Sequence, residues 1–340
     1  MLKPLCGPSS HVFTPTSKRS AGRRIRTFNC SLAYHAADPA DGVVNRLREA
    51  YPKLDITLVF NDSVHGVNLT VSNLINLLQH ARHEVIVIED SDIAVPPDYL
   101  HTVSAPLLSG QVGLVTCLYC ARRVGEVWAR LGALFIDEWF VPSVHVARAA
   151  GARRFGFGAT LALRRGTLDA IGGFHERKDC VVDDFWLAEY VRELGLRTHV
   201  FELTVTTDVS ECDLPSLWLR ETRWLHTIRS INPLGFAFLF ITFTSPWLLG
   251  LGFDWSGGAI ADSTADMSVD LSTSFGLSAR LLLHWRTTRD WRSFWRDLPF
   301  IPLRDLLLSA EWIAAAFGSH VIWREARIPI VCVANREANQ

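Results

Sequence analysis

The sequence lacks the loops that most nucleotide enzymes carry: it has no G-x-x-x-x-G-K-[ST], no G-x-G-x-x-G and no G-x-S-x-G. P-loop hydrolases, dinucleotide-binding enzymes and α/β-hydrolases are thereby excluded, because each needs its own glycine turn to cradle phosphate or aim a nucleophile. It also lacks a charge excess. Lys+Arg 34 against Asp+Glu 35 leaves a formal net charge of −1, so no basic field is available to hold nucleic acid. The seven cysteines (6, 30, 117, 120, 180, 212, 332) form no paired framework. Cys117 and Cys120 make a C-x-x-C, but it lies in the apolar run GLVTCLYC with no second pair, so neither a metal nor a redox role is read there. A reducing compartment is the expectation. MLKPLCG has neither the charged n-region nor the apolar h-region of a secretory signal, and none is expected.

Apolar surface is abundant. Hydrophobic residues make up 49% of the 340, with 12 tryptophans, a mixture that suits a soluble domain fused to membrane segments. From residue 41 to about 120, helical spacing alternates with short strand-like runs: DGVVNRLREAYP, LDITLVF, a helix over 70–82, EVIVI, then VGLVTCLY. That alternation predicts an α/β sandwich with a mostly parallel sheet. Residues 122–152 are Trp- and Val-rich and amphipathic, suited to lie against lipid. FGATLALRR reads as a turn and strand, TLDAIGGF as a short helix ending in glycines, and CVVDDFWLAEYVRELGL as an acidic pair opening an amphipathic helix. Ile231–Phe253 is 23 residues without a charge, long enough at ~1.5 Å per residue to cross a ~30 Å bilayer core, with Pro246 expected to kink it. Arg220, Arg223, His226 and Arg229 crowd its N-terminal side and place that side in the cytoplasm. Residues 299–318 are apolar but carry Arg304, Asp305 and Glu311, and read as an interfacial, re-entrant or weakly spanning helix.

Three sites have residues suited to chemistry. Asp90-Ser91-Asp92 follows a buried strand, so its carboxylates fall at the carboxyl edge of the sheet, where α/β proteins bind ligands. Two carboxylates there suit one divalent cation holding a diphosphate, although a D-x-D also serves as a plain helix-capping turn. Asp183-Asp184 opens a helix near Gly172-Gly173. It fits either ordinary first-turn acidity or a general base beside an acceptor pocket. Arg220-x-x-Arg223-Trp224 puts two arginines on one helix face, able to grip phosphate oxygens. Trp224 either closes over a pocket or joins an interfacial aromatic belt. Asp38, in ADPADG, is by itself ordinary turn chemistry.

Taken in order, these motifs resemble the "D, D, D, (Q/R)xxRW" signature of family 2-type glycosyltransferases of the ceramide glucosyltransferase group. Within that group they are most similar to the bacterial hopanoid biosynthesis-associated glycosyltransferases. HGVNLTVSNLINLL, VIVIEDSDIAVPPDYL, GLVTCLY, FGATLALRR, GGF and VVDDFWLAE carry the likeness, over about residues 36–252. The resemblance implies a GT-A-like nucleotide-sugar-binding domain with C-terminal membrane helices, in a bacterial inner membrane with the catalytic domain cytoplasmic. It implies inverting transfer of glucose or N-acetylglucosamine from a UDP-sugar to a lipid hydroxyl, a hopanoid polyol or a ceramide-type alcohol, with Mg²⁺ or Mn²⁺. By the same likeness Asp38 lies near the uracil, Asp90 and Asp92 hold the metal and diphosphate, Asp184 is the base, and Arg220, Arg223 and Trp224 complete the site.

The likeness implies a division into a catalytic domain over 1–210, an interfacial R-x-x-R-W helix over 211–230, a transmembrane helix over 231–253 and a C-terminal region over 254–340. Two departures stand out. Thr70 occupies a place where the family usually has Lys, and residues 8–36 (SSHVFTPTSKRSAGRRIRTFNCSLAYH at their core) lack the helix and strand expected there. A pair of compensating frameshifts accounts for the second, and a degenerate, non-catalytic membrane protein is the alternative function.

Overall fold

The computed structural model describes residues 2–4, 29–34, 45–46, 48–90, 92–180, 182–243, 263–288, 290–318, 320–323 and 326–329. Among the described residues ten strands run in chain order: β1 (Leu2–Pro4), β2 (Asn29–Tyr34), β3 (Asp55–Phe60), β4 (Val85–Glu89), β5 (Ile93–Ala94), β6 (Val112–Arg123), β7 (Thr160–Arg164), β8 (Arg197–Val209), β9 (His320–Trp323) and β10 (Ala326–Pro329). The α-helices are α1 (Leu69–Leu78), α2 (Tyr99–Ser104), α3 (Val127–Phe135), α4 (Val141–Ala149), α5 (Arg165–Ala170), α6 (Asp183–Glu193), α7 (Leu214–Ile231), α8 (Pro233–Ala237), α9 (Ser263–Thr287), α10 (Trp291–Asp297) and α11 (Phe300–Phe317). The described chain forms two compact units. The first takes the residues up to Cys120 together with Arg148–Asp208; the second takes Ala121–Ala147 and Val209–Ile330.

In the first unit the sheet order is β3-β2-β1-β4-β7-β6-β8-β5. The expected parallel sheet holds for β3, β2, β1 and β4, which pair parallel, but β7 runs antiparallel to both β4 and β6, and β5 runs antiparallel to β8. The sheet is therefore mixed. Helix-length crossovers force the parallel half, whereas β7 arrives after the long 124–159 excursion and is free to enter reversed. The expectation that residues 8–36 lack a strand is corrected at their end: Asn29–Tyr34 is β2, in register between β1 and β3.

Period-2 alternation gives this sheet a core on each face. Ile86, Ile88, Leu161, Leu163 and Leu114 pack with Leu74 and Leu77 of α1 and with Leu187 and Val191 of α6. The intervening Val87, Ala162 and Val115 turn to the other face, against Tyr99 and Val103 of α2. The same alternation settles the C-x-x-C, since residues three apart on a strand face opposite ways. Cys117 is buried and Cys120 half-buried, neither is disulfide-bonded, and burial pushes the Cys117 thiol up to about 12. Cys180, expected unpaired, is disulfide-bonded.

The second unit is largely helical, and its interior holds buried charged side chains beside apolar ones such as Leu131, Phe135, Leu217 and Leu225. Arg304 lies between Glu221 and Glu311 (2.6 Å and 2.5 Å), and all three side chains are buried. Arg280 bonds Glu138 at 2.6 Å and Asp305 at 3.2 Å, while His284 Nδ1 meets Glu138 Oε1 at 2.5 Å. Phe238, Ile241, Phe275, Trp291 and Phe317 instead face outward. The charges in 299–318 are thus matched inside α11's own unit.

The helix expected to start at Ile231 is interrupted at once. α7 ends at Ile231, and Asn232 caps a new five-residue helix by accepting from Gly235 N–H at 2.9 Å, with Pro233 at its first position. Among the described residues no helix is long and apolar enough to cross a membrane, and the remainder of the predicted span, 244–253, lies outside them.

Candidate active site

β4 runs as a buried strand to Glu89, and the next residue, Asp90, emerges into solvent. Asp92 is half-buried and held from β8: its Oδ2 accepts from Thr207 Oγ1 at 3.1 Å, and its carbonyl accepts from Asp208 N–H at 3.0 Å. The Ile93↔Thr207 pairing of β5 with β8 fixes that register. Behind the edge Glu89 is fully buried. Tyr99, beside it, donates its hydroxyl to Thr160 Oγ1 at 3.0 Å. Burial and then the Glu89 carboxylate hold the Tyr99 phenol well above its ordinary value. Among the described residues no group of three or more metal-ligating side chains occurs. Asp92, braced by Thr207, and Asp90, exposed at the strand end, are the two carboxylates at this edge that could contribute to holding a divalent cation.

The second acidic site opens α6. Asp184 Oδ2 accepts from Gly158 N–H at 2.9 Å, and Oδ1 accepts from Phe185 N–H at 2.8 Å, as suits a carboxylate at a helix N-terminus. The F-G-F-G turn that supplies Gly158 is pinned by Thr116 of β6, whose hydroxyl accepts from Phe157 N–H at 2.9 Å and donates to Phe157 O at 3.0 Å. Gly156 is needed for closeness: a Cβ there would lie 2.6 Å from Asp184 O. Asp183 Oδ1 accepts from Asn68 Nδ2 at 3.1 Å. Its carboxyl is pushed up to about 7, by burial first and by the charge of Asp184 second.

These two acidic sites share one end of the sheet. Glu89, the last residue of β4, pairs with Thr160, the first of β7, and Gly158, two residues earlier, is the donor to Asp184. The R-x-x-R-W motif lies on α7 in the second unit. Arg220 is ion-paired with Glu211 at 2.6 Å and Glu221 at 3.3 Å, so its charge is already matched. It stacks over Trp224 at 5.7 Å, and Trp224 packs on Phe135 and Phe140. Arg223 is half-buried on the same helix. Arg229 bonds the carbonyls of Ala315, Ala316 and Gly318 and so caps α11. Asp38 lies outside the described residues.

Sequence reasoning passed over Asn68, Glu89, Thr116 and Thr207. An Asn before an apolar helix is an N-cap signal that was available for Asn68. The others pair across the sheet, where spacing carries no trace of the partner.

Residues 27–333 match glycosyl transferase family 21, and the chain belongs to that family. It is 21% identical over 267 residues to ceramide glucosyltransferase 1 of Caenorhabditis elegans, an alignment covering 76% of this chain and 56% of that protein. The chain thus spans little more than half the length of that curated relative. Among solved structures it is similar to GalNAc-T7 with UDP, GalNAc and Mn²⁺, at 10% identity, covering 60% of this chain and 45% of that one, with a TM-score of 0.38. It is also similar to glucosyl-3-phosphoglycerate synthase from Mycobacterium tuberculosis, at 18% identity, covering 58% and 67%, with a TM-score of 0.35.

Proposed function

We propose that this chain is an inverting, GT-A-like transferase that moves a glucose- or N-acetylglucosamine-type sugar from a UDP-sugar to a lipid hydroxyl. The supporting observation is the single sheet end that carries both Asp90/Asp92 and Asp183/Asp184, in a family 21 chain. In this reading Asp184 takes the proton of the acceptor hydroxyl as its oxygen forms the new bond to the anomeric carbon. The bond from that carbon to the UDP oxygen breaks on the opposite face, and its electron pair leaves on the diphosphate. Mg²⁺ or Mn²⁺ held by Asp90 and Asp92 would neutralise that charge. Thr207 keeps Asp92 aimed, and the Gly158 and Phe185 amides keep Asp184 oriented.

Asp38 is assigned to the uracil, and Arg220, Arg223 and Trp224 to the completion of the site. Within the second unit, outward aromatic side chains over a charge-paired interior favour a bilayer as its surroundings. The bacterial inner membrane with a cytoplasmic catalytic domain, and a hopanoid polyol as acceptor, complete the proposal. The test is UDP release by the membrane fraction with UDP-glucose or UDP-N-acetylglucosamine, Mg²⁺ or Mn²⁺, and a bacterial lipid extract. Lipid-dependent release lost in Asp184→Asn supports the reading. Release that ignores both lipid and Asp184 overturns it.

A further inference from the structure

Asn68 is fully buried at the N-terminus of α1, and every polar atom it owns is committed. Oδ1 accepts from Val71 N–H at 3.0 Å and so caps the helix. Nδ2 donates at 2.7 Å to Cys180 O and at 3.1 Å to Asp183 Oδ1, across 112 and 115 residues of chain. Its main chain donates to Lys178 O at 2.8 Å and accepts from Ser72 N–H at 3.0 Å. Two neighbours reinforce the same seam. Val67 N–H donates to Asp179 Oδ1 at 3.1 Å, and at Gly66 a Cβ would sit 2.6 Å from Lys178 O. One amide thus ties the start of α1 to the loop that delivers the Asp183-Asp184 pair.

We propose that Asn68 is a positioning residue for transfer: its Nδ2 holds Asp183 in one orientation, so that the neighbouring Asp184 is the carboxylate left to act as base. This rests on the reading of Asp184 given above. Two adjacent carboxyls in a poorly solvated site do not both ionise freely, and one tends to keep a proton. Asn68 donates to Oδ1 of Asp183, which reserves that oxygen as an acceptor and leaves any proton on Oδ2. The groups facing Asp183 are Asp184 on its own helix, Arg177 from the turn before it, and Asn68 from α1. Arg177 is buried and bonded to Gly173 O. A neutral donor at position 68 is the only one of the three able to orient Asp183 without adding charge.

Asn68→Asp separates the two roles of this side chain, because Asp caps a helix as well as Asn does but cannot donate. The variant is expected to keep its fold by circular dichroism. Its kcat at neutral pH is expected to fall ten-fold or more, KM for the UDP-sugar to stay within two-fold, and the acidic limb of the pH–rate profile to move to higher pH. In the double variant Asn68→Asp/Asp183→Asn the donor and acceptor exchange places, and the profile is expected to move back toward that of the parent. A folded Asn68→Asp with the parent's kcat and pH profile overturns the inference, as does a double variant no better than the single. Asp184→Asn in the same assay keeps the two readings apart. If it is inactive, an indifferent Asn68→Asp refutes only the role of Asn68; if it is active, the base assignment falls and this inference with it. Thermal unfolding against pH gives a readout independent of turnover: Asn68→Asp is expected to shift the pH range over which stability declines, and an unmoved range counts against it.

Discussion

Gly158 donates its backbone N–H to Oδ2 of Asp184 at 2.9 Å, across 26 residues that include all of α5. The bond places a carboxylate of the α6 N-terminus beside the turn that enters β7, and β7 is bonded to β4, whose end carries Asp90. The acidic residues meet because the sheet end is a shared boundary.

Asp184→Asn should lower transfer by roughly 10²–10⁴-fold, the ordinary contribution of a general base. UDP binding should stay within about two-fold by calorimetry, since Asn retains acceptance from Gly158 N–H and only proton uptake is lost. Loss of UDP binding together with turnover would assign Asp184 to metal binding or folding instead.

Asp90→Ala should remove the dependence of UDP-sugar binding on Mg²⁺ or Mn²⁺. Thr207→Val, which only frees Asp92 Oδ2, should weaken metal-dependent binding by a smaller factor, on the order of 3–10-fold for one lost hydrogen bond. Metal titrations of both variants check this, and metal-independent binding by the parent would sink the assignment.

Asp183 carries a stability signature. Its folded carboxyl is pushed up to about 7 against ~3.9 in an unfolded chain, so the folded state binds the proton more tightly. The resulting stabilisation is complete below about pH 4 and is lost as pH rises through about 7. Thermal unfolding of Asp183→Asn should therefore decline less with pH between 4 and 7 than that of the parent. Parallel slopes would show that Asp183 does not titrate there.

How far the sequence reveals this site depends on the range of the interaction. Asp90 and Asp183-Asp184 are legible because each adjoins its own element, a buried strand or an amphipathic helix. Asn68 holds Asp183 from 115 residues away, and no local pattern reports that. β3 and β4 are legible through the helix between them, whereas β2 lies in a stretch that reads as lacking a strand and the reversal of β7 depends on how a long excursion returns. Arg304 and Glu311 look like obstacles to a membrane helix in one dimension and are a matched pair in three.

That pair gives the fourth prediction. Arg304→Met leaves Glu221 and Glu311 buried without their cation and should cost about 3–5 kcal/mol. The triple variant Glu221→Met/Arg304→Met/Glu311→Leu removes all three buried polar side chains and should recover most of that loss by thermal unfolding. A triple variant as unstable as the single would mean that shape, not charge, is critical there.

Between α3 and α4 the helix passes through a π turn over Ile136–Phe140, one residue longer than an α turn. Within that turn Asp137 accepts from Ala121 N–H at 2.8 Å, Glu138 meets Arg280 and His284, and Trp139 donates to Thr242 at 2.9 Å. Three successive side chains thus anchor to three separate segments of the second unit. Removing any one residue from 136–140 would return the helix to ordinary winding and rotate α4 by about 100° relative to α3. The length of this stretch is therefore as constrained as its composition, and a relative one residue shorter here would need a differently wired interior.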